Sequence, residues 1–168
     1  VLFRSSARPS EVERRQLFIS YSHKDGEWLE RIHTHLKPLE RRYGLECWDD
    51  SGIQAGDRWR EAIETALARA QVALLLVSPD FLASDFIHRS ELPPLFQAAA
   101  KDGLEILWLP LRPSSWRLHP EIETIQAIFP PGRTLAEMGE AEQDRQMVAM
   151  TETLQEILLR PQIGRAHV

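Results

Sequence analysis

The sequence predicts an α/β fold of three layers, a parallel sheet with helices on both faces. Two observations predict it. Short apolar runs rich in β-formers, at Leu17–Tyr21, Leu45–Trp48, Val72–Val77 and Leu104–Leu111, alternate with segments of helical period. The third run, VALLLV, is apolar at every position, which suits a strand covered on both faces and is far too short to cross a membrane.

Residues 6–15 are polar without an apolar period and read as a tail. Leu17-Phe18-Ile19-Ser20-Tyr21 is the first strand. Ser22 to Gly26 form a loop in which Asp25 is expected to cap the next helix. That helix places Trp28, Leu29, Ile32, Leu36 and Leu39 at helical spacing. Pro38 is expected to bend or fray its last turn, and Gly44 to stop it. Leu45–Trp48 is the second strand and feeds an acidic loop, Asp49 to Gly56. Asp57 is expected to cap a helix whose apolar face is Trp59, Ile63, Ala66, Leu67 and Ala70.

The third strand stops at a turn-forming cluster, Ser78-Pro79-Asp80. An apolar hook, Phe81-Leu82-Ala83, and Ser84-Asp85 follow. The next helix is expected from about Ser90 to Lys101, because Pro93-Pro94 are tolerated only in a first turn. Asp102-Gly103 closes it, and Leu104–Leu111 is the fourth strand. Arg112 to Pro120 is a Pro/Ser/Trp loop. Ile125–Phe129 is a short fifth strand, ended by Pro130-Pro131-Gly132. Met147, Met150, Leu154, Ile157 and Leu158 lie on one face of a last helix. One domain is expected over 16–160, with tails at 1–15 and 161–168.

The 168 residues suffice for one domain with its own core. A formal net charge of −5 argues against nucleic acid or an anionic membrane as the main partner. The single cysteine, Cys47, permits no internal disulfide; it reads as a small core residue and fits a reducing compartment, the cytoplasm. There is no initiator Met, and VLFRS and IGRAHV at the two ends resemble translations of a common sequencing adapter read in opposite directions. Both are set aside from fold reasoning, and the protein is expected to extend further on either side.

In open α/β sheets, ligands bind outside the carboxyl ends of the strands. Glu91 follows the third strand at the foot of the expected helix, where a carboxylate is either a candidate catalyst or a solvated helix-start charge. His33 and His35 are two apart on a helix and face different directions, so they are not expected to share a metal. Trp108 reads as core, and Trp116 as a loop residue. Three other readings fail on residues. A phosphoacceptor domain needs an acidic pair after the first strand, where Tyr21-Ser22 stand. A dinucleotide-binding enzyme needs a Gly-rich first turn, which Ser22-His23-Lys24-Asp25-Gly26 lacks. A Ser/His/Asp hydrolase of the nucleophile-elbow type needs G-x-S-x-G, which is absent.

Phe18-Ile19-Ser20-Tyr21-Ser22, Trp48-Asp49-Asp50 with Ile53 to Gly56, and Leu75 to Ser78 with Phe81-Leu82-Ala83-Ser84 and Glu91 resemble the successive boxes of a TIR domain. The bacterial kind is the nearer likeness, since a segment similar to Leu111-Arg112-Pro113-Ser114-Ser115-Trp116 recurs there. The resemblance covers about residues 17–130. It implies a flavodoxin-like fold with five parallel strands in the order 2-1-3-4-5. It also implies one of two roles: an adaptor that assembles with other TIR domains, or an NAD+ glycohydrolase, active on self-assembly in bacterial defence signalling. By the same resemblance Glu91, seven residues after Ser84, is the catalytic residue. Ser22, His23, Trp48, Asp50, Ser84 and His88 border the substrate. Asp49, Asp50, Ser51, Gly52, Ile53, Gln54, Ala55 and Gly56 form an assembly loop that gates the site. NAD+ is substrate rather than cofactor, no metal is required, and the partners are other TIR domains, with neither nucleic acid nor membrane among them.

One carboxylate is sufficient for that chemistry. Nicotinamide leaves the ribose as a neutral molecule, so no general acid is needed, and the transition state is oxocarbenium-like. An ionised carboxylate beside the ribose stabilises the developing charge. The chain departs from the family at Ala55, where a Pro is usual, at Ile87 and His88, where Trp or Cys often stands, and at Pro93-Pro94, which are expected to restart or kink the helix at Ser90.

Overall fold

A computed structural model describes residues 15–53 and 58–161. Its strands are β1 (Arg15–Ser20), β2 (Leu45–Trp48), β3 (Val72–Val77), β4 (Glu105–Pro110) and β5 (Gln126–Ala127). All pair in parallel, in the order β2-β1-β3-β4-β5, as the sequence implied. Its longer helices are α1 (Gly26–Tyr43), α2 (Trp59–Arg69), α4 (Leu92–Asp102) and α6 (Glu140–Leu158). Two single-turn helices are α3 (Pro79–Ala83) and α5 (Pro120–Thr124).

Side-chain alternation along the strands divides the core into two layers. Leu17, Ile19, Leu74, Leu76, Leu107 and Leu109 face one way and are covered by α1 and α6 through Ile32, Leu36, Met147, Met150 and Leu154. Phe18, Ala73, Leu75, Val77 and Trp108 face the other way. They are covered by α2 and α4 through Ile63, Leu67, Leu92 and Leu95. Every residue of β3 is fully buried, which explains its uninterrupted apolar run. Trp108 is core, as expected, and its indole N–H donates to Ile125 O at 3.0 Å. Trp116 packs on Trp108, ring centroids 5.0 Å apart, and the Arg117 guanidinium lies over the Trp116 ring at 4.7 Å.

Local departures from the sequence reading have physical causes. Pro38 neither ends nor frays α1, which continues to Tyr43; Gly44, at φ 70°, then caps it in the left-handed region, its N–H donating to Glu40 O. Asp25 does not cap α1. It is buried, and its carboxylate accepts instead from Ser78 Oγ and from Arg112 Nη2. The apolar hook after β3 is the helix α3, capped by Ser78 Oγ accepting from Phe81 N–H at 3.0 Å. A second short helix, α5, lies beyond the expected 112–120 loop, and the fifth strand is only two residues long. Cys47 is half-buried rather than a fully enclosed core residue. Its thiol is pushed up to about 12, by burial first and then by the neighbouring Glu40. The expected cap Asp57 lies outside the described residues.

Ser78 therefore serves two partners, the first turn of α3 and the buried Asp25 carboxylate. Ser78→Ala is expected to cost about 1–2 kcal/mol, the range for losing such a cap. Urea unfolding should show a lower midpoint with an unchanged m-value.

Candidate active site

The segment after α3 sets the site. Ser84 Oγ accepts from Ile87 N–H at 3.2 Å, and the chain runs helically from residue 85 into α4. No break occurs at Ser90. Instead Ile87–Glu91 form one wide π turn, in which Leu92 N–H reaches back to Ile87 O. Pro93 and Pro94 explain it. They can donate nothing to the preceding turn, and their rings would crowd the carbonyls of an ordinary α turn. Such widened turns occur frequently at functional sites.

This arrangement puts Glu91 on the buried stripe Ile87, Glu91, Leu95, Ala98, at helical spacing. Glu91 is 0 % exposed, so it is not a solvated helix-start charge. Opposite it stands Ser20, the last residue of β1, whose side chain shares the orientation of Phe18 and points to the α4 face. Ser20 Oγ donates to Glu91 Oε1 at 2.6 Å. The other oxygen, Oε2, is buried with no donor in reach. Burial, then Asp50 as hydrogen-bond partner and as a neighbouring charge, push the Glu91 carboxyl from 4.5 up to about 9. Burial and the neighbouring Asp50 thus favour the protonated form of Glu91.

Asp50 is itself buried and sits in a short turn, Asp50–Gly52, that Asp49 caps through Ser51 N–H. Its Oδ1 lies 2.7 Å from His23 Nε2. His23, on the loop after β1, is largely solvent-exposed. Two hydrogen-bonded pairs thus stand together at the carboxyl end of β1, His23 with Asp50 toward solvent and Ser20 with Glu91 in the interior, and the Asp50 carboxylate acts on the Glu91 carboxyl between them. Burial and the surrounding carboxylates of Asp49, Asp50 and Glu91 also raise the Tyr21 phenol to about 12.

Above these pairs opens a cleft of ≈ 450 Å³. Tyr21, Ser22, His23 and Lys24 line it from the segment after β1, Asp50 and Ile53 from the acidic loop, and Asp80, Ala83, Ser84, Phe86 and Ile87 from the region after β3. Glu91 does not line the cleft; it lies behind Asp50. Of the sequence-expected substrate residues, Ser22, His23, Asp50 and Ser84 share the cleft. Trp48 and His88 do not reach it. Trp48 stacks on Phe18 with centroids 4.8 Å apart, and His88 meets His119 edge-on at 5.3 Å. Within the assembly loop, Asp49 to Ile53 are described, whereas Gln54, Ala55 and Gly56 lie outside the described residues.

Besides the lining residues Tyr21, Lys24 and Asp80, two further contributors were not singled out from sequence. Phe86 lines the cleft and is braced edge-on by Trp59, centroids 5.5 Å apart. Ser20 is the second, and strand parity was the signal that could have found it. A neighbouring cavity of ≈ 560 Å³ shares His23, Lys24 and Asp80 with the cleft and reaches Trp28 and Arg112. There Arg112 Nη2 binds Asp80 at 2.6 Å and Asp25 at 3.1 Å.

Comparison with known proteins adds to the geometry. A family model described as "TIR domain" matches residues 17–145. An uncharacterized protein of Sinorhizobium fredii, y4lF, is 28 % identical over 121 residues, which are 72 % of this chain and 37 % of that protein. The chain thus spans only 37 % of the length of that curated relative. Among solved structures, the diflavin flavoprotein A3 of Nostoc sp. shares the fold, with a TM-score of 0.53 at 12 % identity over 86 % of this chain and 94 % of its own. The TIR domain of the Toll-related receptor TRR-2 of Hydra magnipapillata gives a TM-score of 0.49 at 15 % identity, over 84 % and 96 % of the two chains.

Proposed function

The chain belongs to the TIR domain family, and on that premise we propose that it is an NAD+ glycohydrolase acting in the cytoplasm, in bacterial defence signalling. The observation that carries this reading is the buried acid Glu91, roofed by Asp50 at the floor of a cleft outside the carboxyl ends of β1 and β3. Among the described residues, no helix is long and apolar enough to cross a membrane.

The lining of the cleft carries the Asp50 carboxylate, while Asp80 is paired with Arg112. That suits the cationic nicotinamide–ribose end of NAD+. The nicotinamide ring packs on Phe86, and the ribose lies between Ser22, Ser84 and Asp50. The rest of the dinucleotide passes Lys24, whose ammonium is largely exposed, into the adjoining cavity.

The geometry describes a resting state for this chemistry. A protonated Glu91 cannot stabilise an oxocarbenium ion. Displacement of Asp50 from the roof opens the buried Glu91 to the cleft, and with the cation of the substrate beside it the Glu91 carboxyl falls again and releases its proton to water. Glu91 then presents a carboxylate to C1′ as the C1′–N bond breaks. The bonding pair departs with nicotinamide, and water completes the hydrolysis.

Displacing Asp50 requires its turn, Asp50–Gly52, to move, and a neighbouring TIR domain packed on that turn would supply the contact. Head-to-tail contacts of this kind are heterologous and extend as open filaments. Light scattering and nicotinamide release should therefore rise together as protein concentration increases. Full turnover in a dilute monomer would contradict assembly gating. Assembly without nicotinamide release would instead favour the second role in the family, a non-catalytic adaptor.

A further inference from the structure

A second cluster of chemically capable side chains lies outside the cleft, where α1 packs on the edge strand β2. His33 and Glu40 are seven residues apart, two helical turns, and so share a face of α1. Cys47 comes from β2. One donor atom from each of the three, the imidazole nitrogen, a carboxylate oxygen and the thiol sulfur, lies within 4.8 Å of the others. Cys47 Sγ is 3.6 Å from Glu40 Oε2, and His33 Nε2 is 3.4 Å from Oδ2 of Asp49, just beyond the end of β2. All four residues are half-buried, which leaves a path for an ion from solvent.

We propose that His33, Glu40 and Cys47 form a binding site for a borderline-soft divalent cation of the zinc class, with Asp49 or a water at the fourth position. The donor set selects the cation. Magnesium and calcium take six or more oxygen ligands, and a thiol is a poor partner for either. One sulfur, one imidazole nitrogen and carboxylate oxygen are the ligands zinc takes in tetrahedral geometry. Zinc–ligand bonds of about 2.0–2.3 Å place tetrahedral ligands roughly 3.3–3.6 Å apart. The present separations, 3.4 Å to at most 4.8 Å, come within side-chain rotation of that spacing. On binding, the Cys47 thiol releases its proton to solvent and the sulfur donates to the metal. Glu40 exchanges its 3.3 Å ion pair with Lys37 for the cation. His35 stands apart, its Nε2 3.0 Å from Asp144, and takes no part.

Occupancy would tie α1 to β2 and, through Asp49, to the turn that carries Asp50 over Glu91. The binding claim itself does not depend on NAD+ chemistry, and its test reads the metal alone. Cobalt(II) is titrated into the whole chain and followed by absorption. One equivalent should bind with tetrahedral visible bands and a thiolate-to-cobalt charge-transfer band in the near ultraviolet, and zinc should abolish both. Cys47→Ser should remove the charge-transfer band. His33→Ala should weaken binding at least about tenfold, the lower bound for losing even an outer-shell partner, and His35→Ala should change neither. Should Cys47→Ser fail to fold, His33→Ala on the more exposed helix carries the test alone. Cobalt bound without a sulfur band, or with unchanged affinity in His33→Ala, would overturn the site.

Discussion

Glu91→Gln is expected to lower NAD+ turnover on the order of 10²–10³-fold, the loss that follows removal of one group aimed at developing transition-state charge. The substitution keeps the size of the side chain and its hydrogen bonds. The amide oxygen can still accept from Ser20 Oγ, and the amide is neutral, the form that burial and the Asp50 charge favour at this position. Only the capacity to become an anion is lost. Because burial holds Glu91 neutral in the folded protein while the unfolded chain ionises it, Gln should fold at least as stably as Glu at neutral pH, with an equal or higher thermal midpoint. A turnover loss with no change in fold assigns the effect to charge. Equal turnover in both proteins would reduce Glu91 to a buried structural acid.

Stability should also fall as pH rises, because of this same residue. Its pKa is about 9 in the folded protein against 4.5 for an unburied carboxyl. Between those values the folded chain holds a proton that the unfolded chain has released. The unfolded state then binds fewer protons, so the slope of stability against pH is negative, approaching about 1.4 kcal/mol per pH unit. The contribution of Glu91 is fully present below about pH 4.5 and is lost as pH passes through about 9. Glu91→Gln should flatten the slope, which urea unfolding at a series of pH values would measure directly. Asp50→Asn should narrow the window from above. It removes the neighbouring charge and leaves burial, the larger cause, in place. A wild-type profile parallel to that of Glu91→Gln would mean that Glu91 is already ionised in the folded protein.

Much of the architecture was legible in the sequence because burial and composition coincide there. VALLLV suits a strand covered on both faces, which it is, and its neighbours followed from alternating periods. Helix ends were legible where a backbone conformation demanded a residue type, as at Gly44 and Gly103 with their left-handed φ values. Where two uses of one residue competed, local rules were insufficient. Asp25 has the chemistry of a cap, but Ser78 and Arg112, distant in sequence, claim its carboxylate.

Glu91 is the instructive case for the site. Its spacing from Ile87, Leu95 and Ala98 already marks a core-facing position. The proline pair obscured that by suggesting a helix start at Ser90, whereas a single widened turn accommodates both prolines. Phe86 and Ser20 were visible only in outline, since their roles depend on which side of a strand or turn they face. The bond between His23 and Asp50 joins two loops that no local pattern connects.

The most direct measurement is nicotinamide release from NAD+ by the concentrated wild-type chain, with Glu91→Gln as its paired control and assembly verified by light scattering in the same samples. The account predicts nicotinamide together with ADP-ribose or its cyclic form from the wild type, and on the order of 10²–10³-fold less of both from Glu91→Gln. Assembled wild-type protein that leaves NAD+ intact would contradict it.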